Sequence, residues 1–97
     1  MSEYRISQLA QQDLEDIWGY TIQEWSCEQA DKYIGGILAS FNSIANGHII
    51  GKPIDYVLPG YKKALYGKHY IFYRISSEGI TEIIRILHVR MDVKNRL

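Results

Sequence analysis

The sequence is poor in cysteine and lacks long apolar stretches. Its one cysteine, Cys27, cannot form a disulfide within the chain and cannot supply a cysteine cluster for a metal ion. A membrane-spanning helix needs about 18 or more consecutive apolar residues, and no such run is present. The start of the chain also lacks the apolar segment of a signal peptide. These absences predict a protein of the reducing cytoplasm.

Motifs of several enzyme classes are absent as well. The chain has no G-x-G-x-x-G, no P-loop, no G-x-S-x-G and no H-E-x-x-H. His48 and His69 are not spaced as metal ligands relative to a cysteine or an acidic cluster. The sequence therefore predicts neither a cofactor nor a metal ion.

The charges are balanced in number but not in position. There are 11 basic and 11 acidic residues. Residues 1–50 carry two of the basic and seven of the acidic side chains, whereas residues 51–97 carry nine and four. The basic half favours an anionic partner, either nucleic acid or an acidic protein segment. Because a dedicated nucleic-acid binder is usually basic overall, the acidic half disfavours sequence-specific binding to a long nucleic acid.

The first half of the sequence predicts two helices. Ser7 can cap a helix over residues 8–25, in which apolar residues recur with helical spacing. The pattern S-x-x-Q that begins at Ser26 is typical of a capping box and predicts a second helix directly afterwards. Asn46-Gly47 should end this helix, because glycine readily adopts a left-handed conformation. So short a connection predicts an antiparallel hairpin.

The remaining segments predict a sheet. A short strand over residues 3–6 precedes the helices, and a loop marked by glycine and proline follows them over residues 47–60. Three strands are then predicted at residues 62–66, 69–76 and 80–89, and Asp92 can cap a last helical turn at 93–97. The sequence thus predicts one α+β domain over residues 1–97. An N-terminal strand and an antiparallel two-helix hairpin on one face of a mainly antiparallel sheet give the order β-α-α-β-β-β, with a short C-terminal helical turn.

Two features of this pattern each allow two interpretations. The last two predicted strands are largely apolar on both faces, so either loop 47–60 shields the second face or that face binds a partner. The predicted outer side of the second helix contains Gly35 and Gly36, which indicate either a tolerated weak helix or close approach of another backbone. Asp13 is assigned to the polar side of the first helix.

The segment R-I-L-H-V-R-M-D at residues 85–92 contains groups that a metal-free ribonuclease would need. His88, Arg85, Arg90, Lys62 and Lys63 are of the types that transfer protons and stabilise a phosphorane. A single histidine near a strand end is more often structural, however, and no carboxylate is evidently placed to orient His88. The alternative is a surface that recognises another protein.

Four segments together resemble the ParE toxins of the RelE/ParE superfamily. They are QQDLEDIWGYTIQEW, EQADKYI, KHYIFYRI and IIRILHVRMD, and the resemblance extends over nearly the whole chain. It implies the toxin of a type II toxin–antitoxin system, held inactive by a ParD-like antitoxin whose tail folds across it. It also implies inhibition of DNA gyrase, which is trapped so that replication stalls.

The superfamily also contains ribosome-dependent mRNA-cleaving enzymes, from which this sequence differs. Ile71 stands where their catalytic arginine would be, and no tyrosine or histidine follows His88. The pI of about 6.8 is also lower than that of these strongly basic relatives. We therefore expect a non-catalytic gyrase inhibitor, with a ribosome-dependent mRNA interferase as the alternative. A toxin-like remnant without a live target is a third hypothesis. Ser26-Cys27 replaces a common Gly-Pro, which concerns the interhelical turn.

The resemblance and the charge pattern assign the expected binding residues. For the target we expect His88, Arg90, Met91 and Asp92, in which Arg90 and Asp92 anchor the tail and Met91 is an adaptable apolar contact. The helical hairpin is a second candidate surface. For the antitoxin we expect an acidic amphipathic segment on the apolar sheet face, with charge steering from Lys62, Lys63, Arg74 and Arg85.

Overall fold

The computed structural model describes residues 3–97 and confirms the predicted order of elements. The elements are β1 (Tyr4–Ile6), α1 (Gln8–Glu24), α2 (Cys27–Ala45), β2 (Lys52–Pro53), β3 (Lys62–Tyr66), β4 (His69–Ile75), β5 (Thr81–His88) and a 3-10 helix (Val93–Asn95). Strand β2, which lies inside the predicted loop 47–60, was not predicted because two residues carry no periodic signal. The sheet order is β1-β5-β4-β3-β2. Among the strands of residues 3–97, only the β1–β5 pair is parallel.

The helix boundaries follow from the caps that the sequence predicts. Ser7 Oγ accepts a hydrogen bond from the Ala10 N–H at 3.0 Å and donates one to the Ile84 carbonyl at 2.7 Å, which ties the start of α1 to β5. Ser26 Oγ accepts from the Gln29 N–H at 3.1 Å at the start of α2. Gly47 ends α2 in the left-handed region, with φ of 79°. The antiparallel hairpin is therefore set by local side-chain chemistry.

The helical hairpin packs on one face of the sheet. Phe41 and Ile37 of α2 are fully buried against this face, and Tyr4 of β1 meets the Phe41 ring edge-on at 5.6 Å. The other buried members of this main core are Ala10, Leu14, Ile17, Ile44, Ala64, Ile71, Tyr73, Ile83 and Ile86. Burial of large apolar side chains, each worth roughly 1.5–3 kcal/mol, makes this layer the main source of stability.

A bulge in β5 changes which residues share a face. Phe72 pairs with Arg85 and Tyr73 with Ile83, so β5 contains one extra residue, Ile84, at this point. Strict alternation would put Ile83 and Ile86 on opposite faces, but the extra residue lets both join the main core. A prediction of the two faces from strict alternation is therefore wrong for this part of β5.

The second face of the sheet is covered within the chain. Phe72 and Leu87 are buried here beneath Ile54 of the loop between α2 and β3. Around them pack Val57, Tyr61, Tyr70, Val93 and Leu97. Shielding by loop 47–60 is thus confirmed, and the C-terminal turn adds to it. The expectation that the centre of this face is open for an antitoxin was wrong.

The two adjacent glycines of α2 have different surroundings. A Cβ at Gly36 would overlap the Tyr66 hydroxyl group, whereas a Cβ at Gly35 would meet open space. Gly36 was predicted on the outer side of the helix, but it faces β3. Close approach is therefore the reason for Gly36, although its neighbour is a tyrosine side chain and not a backbone.

Candidate functional site

The segment after β5, residues 88–92, forms an ordered turn, which we call the tail turn. The Met91 N–H donates to the His88 carbonyl at 2.9 Å, and the Arg90 N–H donates to His88 Nδ1 at 3.1 Å. Asp92 accepts from the Lys94 N–H at 3.1 Å and from Asn95 Nδ2 at 2.7 Å. Asp92 thereby caps the 3-10 helix, as the sequence predicts. The side chains of Arg90 and Met91 are left exposed.

His88 lies beside a second histidine. Its ring is 5.4 Å from that of His69, the residue opposite it on β4, at an interplanar angle of 85°. His69 Nδ1 lies 2.7 Å from the Tyr33 hydroxyl of α2. Burial, followed by the charge of His88, lowers the pKa of His69 to about 4, and burial raises the pKa of Tyr33. A histidine with so low a pKa is a weak general base at neutral pH.

Arg85 forms a buried ion pair that joins the two halves of the chain. Its Nε and Nη2 donate to the two carboxylate oxygens of Asp13 on α1 at 2.8 and 2.9 Å, and its Nη1 donates to the Arg96 carbonyl at 3.0 Å. Asp13 also accepts from the Ile86 N–H at 3.0 Å. This N–H lies just beyond Ile83, where β1 stops pairing with β5. The hydrogen bonds from Arg85 to Asp13 raise the pKa of Arg85.

Asp13 is therefore a buried residue, and its assignment to the polar side of α1 was wrong. It lies one helical turn after Ala10 and one turn before Ile17, both of which are in the main core. The spacing alone could have identified it as an acid within the apolar stripe. Such a residue indicates a buried cationic partner.

Arg74 also has a carboxylate partner. Its Nε donates to Glu82 on the neighbouring strand at 2.6 Å, and its guanidinium lies 5.8 Å from the centre of the Tyr61 ring. The hydrogen bond to Glu82 raises the pKa of Arg74. The two arginines expected to attract an antitoxin are thus each matched by an internal negative charge.

Lys62 and Lys63 lie on β3, and Lys63 borders a groove of about 330 Å³. Lys63 pairs with Lys52 of β2, and its Nζ lies 4.3 Å from the centre of the Tyr70 ring. We call this the lysine groove, and it is lined by Ile49, Ile50, Gly51, Lys52, Lys63, Ala64, Leu65 and Tyr70. Ile50 is 82% exposed and Leu65 is 60% exposed. The groove thus combines apolar surface with a cationic rim, and its members Lys52, Ile50 and Leu65 were not singled out from the sequence.

A second groove, of about 340 Å³, lies between the two helices beside β1. We call it the hairpin groove, and its lining residues are Ile6, Gln11, Leu14, Glu15, Trp18, Ile34 and Leu38. Trp18 lies in its wall with the indole Nε1 donating to Asp31 at 3.0 Å. Within residues 3–97 no group of three or more histidine, cysteine or acidic side chains is placed to hold a metal ion. None of the helices in this range is long and apolar enough to cross a membrane.

Comparison with known proteins identifies the family. The family model for the ParE toxin of the type II toxin–antitoxin system parDE matches residues 4–93. The chain belongs to the ParE toxin family. Toxin ParE1 of Mycobacterium tuberculosis is 38% identical to it over 96 residues, which cover 99% of this chain and 98% of that protein. Toxin ParE1 of Caulobacter vibrioides is 38% identical over 97 residues, covering 100% and 99%, respectively.

Solved structures agree with the ParE-family fold. A chain in the structure of the chromosomal ParDE TA system from P. aeruginosa superposes with a TM-score of 0.78 at 19% identity, covering 93% of this chain and 98% of that one. A chain of the toxin–antitoxin complex RelBE2 from Mycobacterium tuberculosis gives a TM-score of 0.56 at 24% identity, covering 90% and 96%. The fold of this chain is therefore similar to that of a chain from each of these two toxin–antitoxin structures.

Proposed function

We propose that this ParE-family toxin acts by binding DNA gyrase and that a ParD-like antitoxin neutralises it. The observation that carries the proposal is the tail turn, in which backbone N–H groups donate to the His88 ring and to backbone carbonyls while the side chains of Arg90 and Met91 are exposed. An ordered turn with an exposed arginine and an exposed methionine is suited to bind a protein surface, because its backbone is already fixed and loses little conformational entropy on binding.

The surroundings of the tail turn support binding over phosphodiester cleavage. Ile71, at the position where the mRNA-cleaving relatives carry an arginine, is fully buried in the main core. Arg85 forms an ion pair with Asp13 and donates to a backbone carbonyl, so its positive charge is neutralised within the fold. His69 has too low a pKa to accept a proton efficiently near neutral pH.

The proposed activity is tested with purified gyrase. We expect the isolated toxin to block supercoiling of relaxed plasmid DNA and to leave ribosome-bound mRNA intact. Arg90→Ala should raise the toxin concentration needed for half-inhibition by about tenfold or more, as expected for an interface arginine. Arg5→Ala removes an exposed arginine from β1 and should leave inhibition unchanged. Cleaved mRNA together with unaffected supercoiling would contradict the proposal.

We propose that the antitoxin contributes an acidic amphipathic segment that binds along β3 at the lysine groove. The groove offers apolar side chains beside Lys52 and Lys63, with Lys62 next in sequence, and an amphipathic acidic segment complements both properties. Arg74 and Arg85 belong to the same basic half, but their carboxylate partners reduce the charge that they present. The lysines should therefore supply most of the steering.

Charge reversal tests this antitoxin surface. The double change Lys62→Glu and Lys63→Glu should weaken binding of the cognate antitoxin by roughly tenfold or more and flatten its dependence on salt concentration. Lys32→Glu, an exposed lysine on α2, should change neither property. Isothermal titration calorimetry at low and high salt would measure both. An affinity that responds to neither salt nor the β3 substitutions would rule out this surface.

A further inference from the structure

Four ring side chains form a continuous series from α2 to the end of β5. The ring of Tyr33 lies 5.2 Å from that of Tyr66 and 5.6 Å from that of His69, and His69 lies 5.4 Å from His88. Each contact is edge-to-face, which is the favoured arrangement of aromatic rings. The tail turn begins at His88, so this series connects the turn with the body of the toxin.

The first part of the series is a hydrogen-bond network in the β3–β4 turn. The Tyr33 hydroxyl accepts from the Lys68 N–H at 3.1 Å and lies 2.7 Å from His69 Nδ1 and 3.2 Å from the Tyr66 carbonyl. Gly67 makes this approach possible, because a Cβ at that position would lie 2.6 Å from the hydroxyl oxygen. A proton on His69 Nδ1 lets that nitrogen donate to Tyr33 and leaves the hydroxyl proton for Tyr66. The network is then fully satisfied.

His88 Nδ1 is a hydrogen-bond acceptor, whereas His69 Nδ1 is a donor. This nitrogen accepts the Arg90 N–H, so it must carry no proton. The Val89 N–H donates to the Lys68 carbonyl at 2.9 Å and the Met91 N–H donates to the His88 carbonyl at 2.9 Å. The Val89 bond holds the tail turn against the β3–β4 turn, and the other two bonds close the tail turn on itself. Protonation of His88 Nδ1 would turn this acceptor into a donor, which would then face the donor N–H of Arg90.

The surroundings offer little compensation for a positive charge on this histidine pair. The titratable side chains beside it are Tyr33 on α2 and, next to Tyr33, Tyr66 on β3. Arg90 meets His88 through its backbone N–H, and Lys68 donates its backbone N–H to Tyr33. Asp13 on α1 acts on His69 only through a weak attraction, smaller than the effects of burial and of His88. Among residues 3–97, no carboxylate accepts a hydrogen bond from either imidazole.

We propose that His88 is a pH-responsive latch that holds the tail turn closed while it is neutral and opens it when it is protonated. His69 stays neutral down to about pH 4. Protonation of His88 Nδ1, and not of His69, removes the acceptor of the Arg90 N–H. The tail turn also carries the residues proposed to bind gyrase. Acidification should then weaken target binding, and this consequence, unlike the latch itself, rests on the proposed function.

The latch is tested on the isolated, full-length toxin by NMR. We expect the Arg90 amide resonance to shift with the same midpoint pH as the Cε1 proton of His88. The hydrogen-exchange protection of the Arg90 amide, relative to an unstructured peptide at the same pH, should fall by about tenfold or more between pH 7.5 and pH 5. Protection within twofold over this range, or an amide midpoint unrelated to His88, would overturn the proposal. Neither result depends on any property of gyrase.

Two variants separate the latch from general acid sensitivity. His88→Asn keeps an acceptor for the N–H two residues later, since asparagine forms this local turn, but it cannot be protonated. Its Arg90 amide should keep its protection from pH 7.5 to pH 5. His48→Gln removes an exposed histidine after α2 and should behave as the unmodified toxin does. An equal loss of protection in His88→Asn would show that another group opens the turn.

Discussion

Replacing Asp13 with alanine is expected to lower the free energy of unfolding by about 3–5 kcal/mol, because it leaves a buried charge without a partner. The carboxylate accepts two hydrogen bonds from Arg85 and one from the Ile86 N–H, and both charged side chains are largely buried. Loss of the carboxylate therefore leaves both the Arg85 guanidinium and the Ile86 N–H without this acceptor. Urea denaturation followed by circular dichroism measures the change.

Two further variants make the Asp13 result specific. Asp16→Ala removes an exposed acid from the same helix and should change stability by less than about 0.5 kcal/mol. Combining Asp13→Leu with Arg85→Met should recover part of the loss, because removal of both charges ends the desolvation cost but leaves the Ile86 N–H unpaired. A cost for Asp13→Ala no larger than that for Asp16→Ala would mean that the ion pair is not important for stability.

Gly36→Ala is expected to lower the free energy of unfolding by about 1–3 kcal/mol, the usual cost of overfilling a packed site. The new methyl group would overlap the Tyr66 hydroxyl, so the tyrosine must move from its position against Tyr33. The larger helix propensity of alanine opposes this cost but does not cancel it. The same urea denaturation measures the difference.

The neighbouring glycine provides the matched control. A Cβ at Gly35 meets open space, so Gly35→Ala should stabilise the toxin by about 0.5–1 kcal/mol through helix propensity alone. Combining Gly36→Ala with Tyr66→Phe, which removes the hydroxyl oxygen, should relieve part of the overlap. If both alanine variants stabilise the protein, then Tyr66 does not restrict the surface of α2.

The arginines of the basic half show why the site could be predicted only in part. Their number and their position in the second half are visible in the sequence, and so is the lysine pair on β3. Arg85 and Asp13 are 72 residues apart, however, and no local pattern shows that one neutralises the other. A contact over that distance depends on how α1 crosses β5, which is a property of the packed layers.

More of the tail turn than of the arginine contacts could be predicted from the sequence. Asp92 was expected to cap a last helical turn, and it does so through the Lys94 N–H. His88 was expected near a strand end, and it is the last residue of β5. Its partner His69 could not be paired with it in advance, because the bulge at Ile84 shifts the register between β4 and β5. The hydrophobic pattern and the hairpin turn set the register of a regular pair of strands, but neither shows where a bulge adds a residue.

The sequence by itself determined the helices, their caps, the turns and the ParE family, because these depend on side chains within a few residues of one another or on motifs read in order. Ser7, Ser26 and Gly47 act on their own helix ends and needed no distant partner. Only the tertiary structure decided that loop 47–60 covers the second face of the sheet and that Gly36 makes room for Tyr66. Both outcomes depend on which surfaces remain unburied once the helices have packed, and that is a property of the whole chain.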